Sequence, residues 1–201
     1  MLSNTTTAIQ TFEQSFTVTQ KSRETLTGHP AKVIWMTGLS GSGKSTIANA
    51  LEIQLHAEKR HTYILDGDNV RKNLNKDLGF LPENRTENIR RIAEVALMMK
   101  GAGLVVIVTC ISPFKKDREA ARKLIGESEF VEIYLSTPLS VCELRDPKGL
   151  YKKSRLGQIQ HMTGVDSPYE IPENPTLTID TSLYSVQDSI GAIIKILNQD
   201  N

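Results

Sequence analysis

Gly38-Leu39-Ser40-Gly41-Ser42-Gly43-Lys44-Ser45 is a complete match to the pattern G-x-x-x-x-G-K-[ST]. Its context agrees with it. The apolar residues 33–36 lead in as a strand, and Ile47, Ala50, Leu51 and Leu55 lead out on one face of a helix, as a phosphate-binding loop requires. Glycines allow backbone angles that turn successive N–H groups toward phosphate oxygens, and the following helix adds the positive end of its dipole. Lys44 then reaches the β- and γ-phosphates of ATP, and the Ser45 hydroxyl supplies one oxygen to Mg²⁺. With Thr46 behind it, the whole stretch 38–46 is the expected ATP site.

Outward from the loop, short β-branched runs alternate with amphipathic stretches, the signature of a parallel sheet covered by helices. Five runs are predicted as strands: residues 33–36, 62–65, 104–109, 130–135 and 177–179. Ile89, Ile92, Ala93 and Ala96 share a helical face. A last helix carries Val186, Ile190, Ile193, Ile194 and Leu197, with Ser185 and Asp188 in capping-box spacing before it. The expected class is α/β: a P-loop NTPase-type three-layer sandwich, with a mostly parallel five-stranded sheet and helices on both faces. Residues 145–175 interrupt that rhythm with four prolines and three glycines, and are predicted to form a lid. Residues 1–27 read as an N-terminal arm, either loose or a short packed helix, and 28–201 as one domain.

Composition narrows the function classes. Of 201 residues, 39% are hydrophobic and 23% charged, and 24 basic against 23 acidic side chains leave +1, so no overall field marks a polyanion or membrane binder. Cys110 and Cys142 show no metal-ligand spacing and read as buried, reduced thiols. The longest aliphatic run has five residues, against roughly 20 needed to span a bilayer. The first 20 residues hold no Lys or Arg, so they lack both a secretory n-region and a presequence face, and a cytoplasmic location is expected.

The position of the acids separates the rival uses of such a loop. A guanine-reading switch would carry N-K-x-D after a later strand, but in Asn75-Lys76-Asp77-Leu78 the acid comes one place early. Residues 104–109 end without the carboxylate that larger P-loop ATPases place there. The acids sit instead at Asp66 and Asp68, behind the second strand, where strand carboxyl ends border the ligand crevice. A carboxylate there can orient or deprotonate an attacking hydroxyl, or hold Mg²⁺; the other reading is that Asp68 or Asn69 merely caps the following helix. Asp66, nearer the strand end, is the expected catalytic acid and a metal ligand with Ser45. Arg71, Phe80, Arg85 and Asn88 suit a second anionic ligand with a ring, and Arg145, Lys148, Lys152, Lys153 and Arg155 make the lid basic.

These residues together resemble the adenylylsulfate kinase family. The resemblance runs from about Gly28 to Thr181 and rests on Ile34-Trp35, the loop, Leu65-Asp66-Gly67-Asp68-Asn69-Val70-Arg71 and Asp77-Leu78-Gly79-Phe80. It continues in Glu87-Asn88-Ile89-Arg90-Arg91, Ile111-Ser112-Pro113, Asp146-Pro147-Lys148-Gly149-Leu150-Tyr151, Thr163-Gly164 and Asp166-Ser167-Pro168-Tyr169-Glu170. It implies ATP-dependent phosphorylation of the 3′-hydroxyl of adenosine 5′-phosphosulfate (APS) to PAPS in sulfate assimilation, with Mg²⁺, by a homodimer. Nucleic-acid polymers and membranes are not expected partners, nor is a fused ATP sulfurylase domain.

By the same resemblance Asp68, Asn69, Arg71, Phe80, Arg85 and Asn88 hold APS, and Ile111, Ser112 and Lys148 complete its pocket. Ser112 carries a phosphoserine role in family descriptions, although Mg²⁺, Lys44 and an Asp66-positioned hydroxyl suffice for direct in-line transfer; the alternatives are a substrate contact or an N-cap. Met162 stands where the family usually has a Phe stacking on the adenine opposite Phe80, which predicts looser APS binding. Two rival functions remain open at this level: a kinase for another small hydroxyl compound, and a nucleotide sensor without turnover. The near-zero total charge hides a division, since residues 145–155 carry five basic groups and one acid, whereas 156–201 carry six acids and one basic group.

Overall fold

The computed structural model describes Phe12 and residues 14–199. Five strands, β1 (Val33–Gly38), β2 (Thr62–Asp66), β3 (Val105–Thr109), β4 (Phe130–Leu135) and β5 (Leu177–Ile179), form one sheet in the order β2-β3-β1-β4-β5. The expectation of a mostly parallel sheet is sharpened: every pairing is parallel. Both faces are covered, so the inner strands read as continuous apolar runs rather than as alternations.

Strand alternation divides the core in two. Ile34, Met36, Val105, Ile107, Val131, Ile133 and Leu135 face one way and pack with Ile47, Leu51 and Leu55 of α2 (Lys44–Ala57) and Ile190, Ile193 and Leu197 of α8 (Val186–Gln199). Val33, Trp35, Val106, Val108 and Phe130 face the other way, against Ile89, Ile92, Ala93 and Ala96 of α4 (Pro82–Gly101) and Ala121 and Ile125 of α5 (Lys115–Ile125). The capping box of α8 forms as its spacing requires: Asp188 N–H donates to Ser185 Oγ at 3.1 Å, and Ser185 N–H to Asp188 Oδ2 at 3.3 Å.

Five helices among the described residues were not located by periodicity. The short-helix reading of the arm holds for α1 (Gln20–Thr27), where Arg23 donates to Gly101 O at 2.8 Å and Gln20 to Glu129 at 2.7 Å; the arm's first eleven residues lie outside the described ones. Helix α3 (Gly67–Lys72) is too short to show a period. Helix α5 escapes because its buried side includes Asp117 and Arg118. Residues 145–175, the expected lid, are partly helical, entered through α6 (Leu139–Arg145) and carrying α7 (Leu150–Arg155). No helix among the described residues is long and apolar enough to cross a membrane.

Leu51 is fully buried between α2 and the sheet. Leu51→Ala should lower unfolding free energy by about 2–5 kcal/mol, read from a denaturant midpoint.

Candidate active site

The loop between β1 and α2 needs its glycines for contact as well as for angle. A Cβ on Gly38 (φ +146°) would meet Leu135 O at 2.7 Å, and one on Gly41 (φ +76°) would meet Cys142 O at 2.9 Å. Lys44, in the first turn of α2, donates to Gly38 O and Leu39 O, both at 2.8 Å. Burial pushes its pKa down to about 8. The loop is braced from outside by Thr181 Oγ1, which donates to Ser42 O at 2.9 Å, and by Tyr151 OH, which donates to Ser40 O at 2.9 Å.

Sheet register places the acid. Asp66 ends β2 opposite Thr109, whose hydroxyl donates to Asp66 Oδ2 at 2.8 Å. Ser45 Oγ donates to the same oxygen at 2.9 Å, and Oδ1 accepts the backbone N–H groups of Asp68 and Asn69 at 3.1 and 3.3 Å. The cap of α3 is therefore Asp66, which also faces the loop, and not Asp68 or Asn69, whose amides are the groups it caps. Burial raises its pKa, but the bonds from Thr109, Ser45 and the two amides outweigh it and hold the carboxyl below the usual aspartate range.

Asp68, Arg71, Phe80, Arg85, Asn88, Ile111, Ser112, Lys148 and Met162 share one cavity of about 1020 Å³ with Lys44, Ser45, Thr46 and Asp66. Nine of the ten expected acceptor residues are thus brought together. Asn69 is the exception: it does not line the cavity, and its amide serves Asp66. The Arg71 guanidinium lies 4.6 Å over the Phe80 ring, and Arg85 Nε donates to Phe80 O at 2.9 Å while its Nη2 bonds His161 O of the lid. Met162 is buried and also packs with Cys142 and Tyr151 beneath the lid.

Ser112 is only 1% exposed, and its Oγ accepts from Trp35 Nε1 at 3.0 Å. The lid bases divide. Lys148 pairs with Asp68 across the cleft, whereas Arg145 donates to Thr181 Oγ1 at 2.7 Å and Gly41 O at 3.3 Å, bracing the loop. Arg155 pairs with Glu143 at 2.5 Å, and neither it nor Lys152 nor Lys153 lines the cavity. Both cysteines are free and buried.

Sequence reasoning missed Thr109, Thr181 and Asn75, whose Nδ2 donates to Asn88 Oδ1 at 3.0 Å. Thr109 had a usable signal, since it follows four β-branched apolar residues at a strand's carboxyl end. Asn75 had none, because its role depends on a chain fold that brings it to α4.

The family model for adenylylsulphate kinase matches residues 30–180. The chain belongs to this family. An adenylyl-sulfate kinase of Pseudomonas entomophila is 56% identical over 175 residues, covering 87% of this chain and 84% of the relative. Among solved structures, the Mycobacterium tuberculosis APS kinase CysC in complex with AMPPNP and APS is similar at a TM-score of 0.81 and 44% identity, covering 84% of this chain and 98% of that one. A hexameric APS kinase from Thiobacillus denitrificans matches at a TM-score of 0.64 and 29% identity, covering 90% of this chain and 32% of that one. The chain is accordingly a kinase, and Lys44, Ser45 and nine of the ten residues expected at the acceptor share one cleft.

The ammonium of Lys44, with a pKa of about 8, is the form that attracts polyphosphate. Raising pH from 8 to 9 lowers its protonated fraction roughly five-fold. ATP affinity, measured by calorimetry, should weaken by a similar factor across that interval. Lys44→Met should bind weakly and show no such slope.

Proposed function

We propose that this chain transfers the γ-phosphoryl group of ATP to the 3′-hydroxyl of APS, giving PAPS and ADP. The observation that carries the reading is the shared cavity: loop, acid and a ring-and-guanidinium wall open onto the same space, as two nucleotides meeting for transfer require. Two ligands of that size fit a cleft of about 1020 Å³ better than one.

The donor set suits a hard cation. Ser45 offers its hydroxyl oxygen, Asp66 holds that hydroxyl at 2.9 Å and sets its negative charge behind it, and no group of three or more His, Cys, Asp or Glu among the described residues forms a protein-only metal cage. This fits Mg²⁺, which takes few protein ligands and shares the rest with phosphates and water. Bound there, it would neutralise charge on the β- and γ-phosphates.

Lys44 supplies the second positive charge, leaving the loop carbonyls for the polyphosphate. Asp66 has both oxygens engaged by four donors and a lowered pKa, so it orients Ser45 rather than collecting a proton. Asp68, exposed and paired only with Lys148 of the lid, is the carboxylate with free lone pairs facing the acceptor side. Arg71 and Arg85 offer charge to the phosphosulfate, and Phe80 offers a face to the adenine. With its hydroxyl held by Trp35, Ser112 acts as a wall and not as a phosphorylated intermediate. We extend the family's homodimer to this chain, and light scattering on the purified protein separates dimer from hexamer.

A coupled assay of ADP release with APS tests the reaction. Asp66→Asn and Lys44→Ala should each lower kcat by about 10²–10³. Turnover no higher than in those variants, or faster turnover with another alcohol, would refute the reading. Met162→Phe should lower the KM for APS several-fold with the KM for ATP unchanged, measured in the same assay.

A further inference from the structure

Arg118 belongs to neither the phosphate loop nor the cavity wall, yet it is 3% exposed and has every arm of its guanidinium engaged. Its Nη1 donates to Ser112 O at 2.7 Å, its Nη2 donates to Glu170 O at 2.7 Å, and its Nε lies 3.1 Å from Glu132 Oε1. The first carbonyl belongs to the acceptor wall, the second to the segment by which the lid returns to β5, and the carboxylate to β4. We propose that Arg118 is a positioning residue that locks the acceptor wall and the lid's return segment into one register. The proposal rests on the APS reading above and deepens it.

The two segments it joins need holding. Ser112 has φ of +46°, a left-handed conformation that costs a non-glycine residue energy and persists only when its surroundings over-determine it. Those surroundings are Trp35 on its Oγ, Arg118 on its carbonyl, and Thr37 Oγ1, which donates to Ile111 O at 2.7 Å. The lid segment is pinned to the same place. Glu170 N–H donates to Pro113 O at 2.8 Å, Glu170 Oε2 accepts from Lys115 N–H at 2.5 Å, and Tyr169 OH is 2.8 Å from Thr37 Oγ1. Upstream of Glu170 the segment carries Met162 and the His161 carbonyl that Arg85 holds, both at the acceptor cavity. A shift at residue 170 or 112 therefore bears on the APS side of the cleft, while Arg118 itself makes no contact with the phosphate loop.

A guanidinium can serve both carbonyls and the carboxylate at once because its donors form a rigid planar fork; a lysine ammonium in the same place is a single point. Arg118→Lys keeps the charge beside Glu132 and loses the simultaneous bridge. Glu132→Gln does the reverse, weakening the ion pair while both carbonyl bonds remain. The two variants separate positioning from simple stability.

Initial rates with ATP and APS, taken well below each protein's melting temperature, should show Arg118→Lys raising the KM for APS on the order of tenfold. Its KM for ATP should stay within about twofold of wild type, since no Arg118 contact touches the phosphate loop. Glu132→Gln should lower the melting temperature and leave both KM values unchanged. If Arg118→Lys proves too unstable, Arg118→Met combined with Glu132→Leu removes the most buried pair together, leaves the partly exposed Arg122, which pairs with Glu132 at 2.6 Å, beside Glu127 at 3.8 Å, and should reproduce the KM shift. An unchanged KM for APS in these Arg118 variants, or an equal rise in Glu132→Gln, overturns the proposal. Absence of APS turnover in the wild-type protein overturns the APS reading first, and the Arg118 proposal with it.

Discussion

The carboxylate of Asp66 is the constraint on which the site depends. Two oxygens receive four donors: hydroxyls from α2 and β3 and two amides that start α3. No single element could supply that set. It exists because β2 pairs in parallel with β3 and β3 with β1, which brings the carboxyl ends of three strands level at one edge. A carboxylate so satisfied stays ionised and stationary, and a stationary anion opposite Ser45 is what a Mg²⁺-nucleotide needs. Moving Asp66 by one residue would point it to the other face of the sheet.

Around that fixed point residues 145–155 brace the loop, and of their five basic side chains Arg145 and Lys148 line the cavity. Arg145 and Tyr151 are spent on bracing the loop, and Arg155 on pairing within the lid. Lys148 and Asp68 make the direct link across the cleft. Charge counted along the chain therefore overstates the positive field over the cavity, because Arg145 already has its donors on Gly41 and Thr181, and Lys152, Lys153 and Arg155 do not line the cavity.

The layered sheet was legible because its physics is local. Residues 33–36, 62–65 and 130–135 show β-branched runs, and α2 and α8 show a helical period, since each buries an apolar face against a sheet. Helix α5 was not legible, because half of what it buries is Asp117, Arg118 and their partners, which mimic a solvated face until the partners are known. Among site residues, the loop was readable from spacing, and Arg71, Phe80 and Arg85 from their clustering after the acids. Thr181, Asn75 and Trp35 act through contacts with residues far along the chain, and nothing near them in sequence marks the role.

The sequence by itself determined a phosphate-binding-loop pattern at residues 38–45, because the glycines, the lysine and the helix start are all contained in one short stretch. It also carried the family, through motifs spread over residues 30–180. Only the tertiary structure decided which donors fill Asp66 and that Asp68 pairs with Lys148, that Ser112 Oγ accepts from Trp35, and that Arg118 bridges Ser112 O and Glu170 O. The reason is the same in each case. Whether a polar group is free to react depends on which distant donors and acceptors already fill its lone pairs, and that is settled by packing rather than by neighbours in the chain.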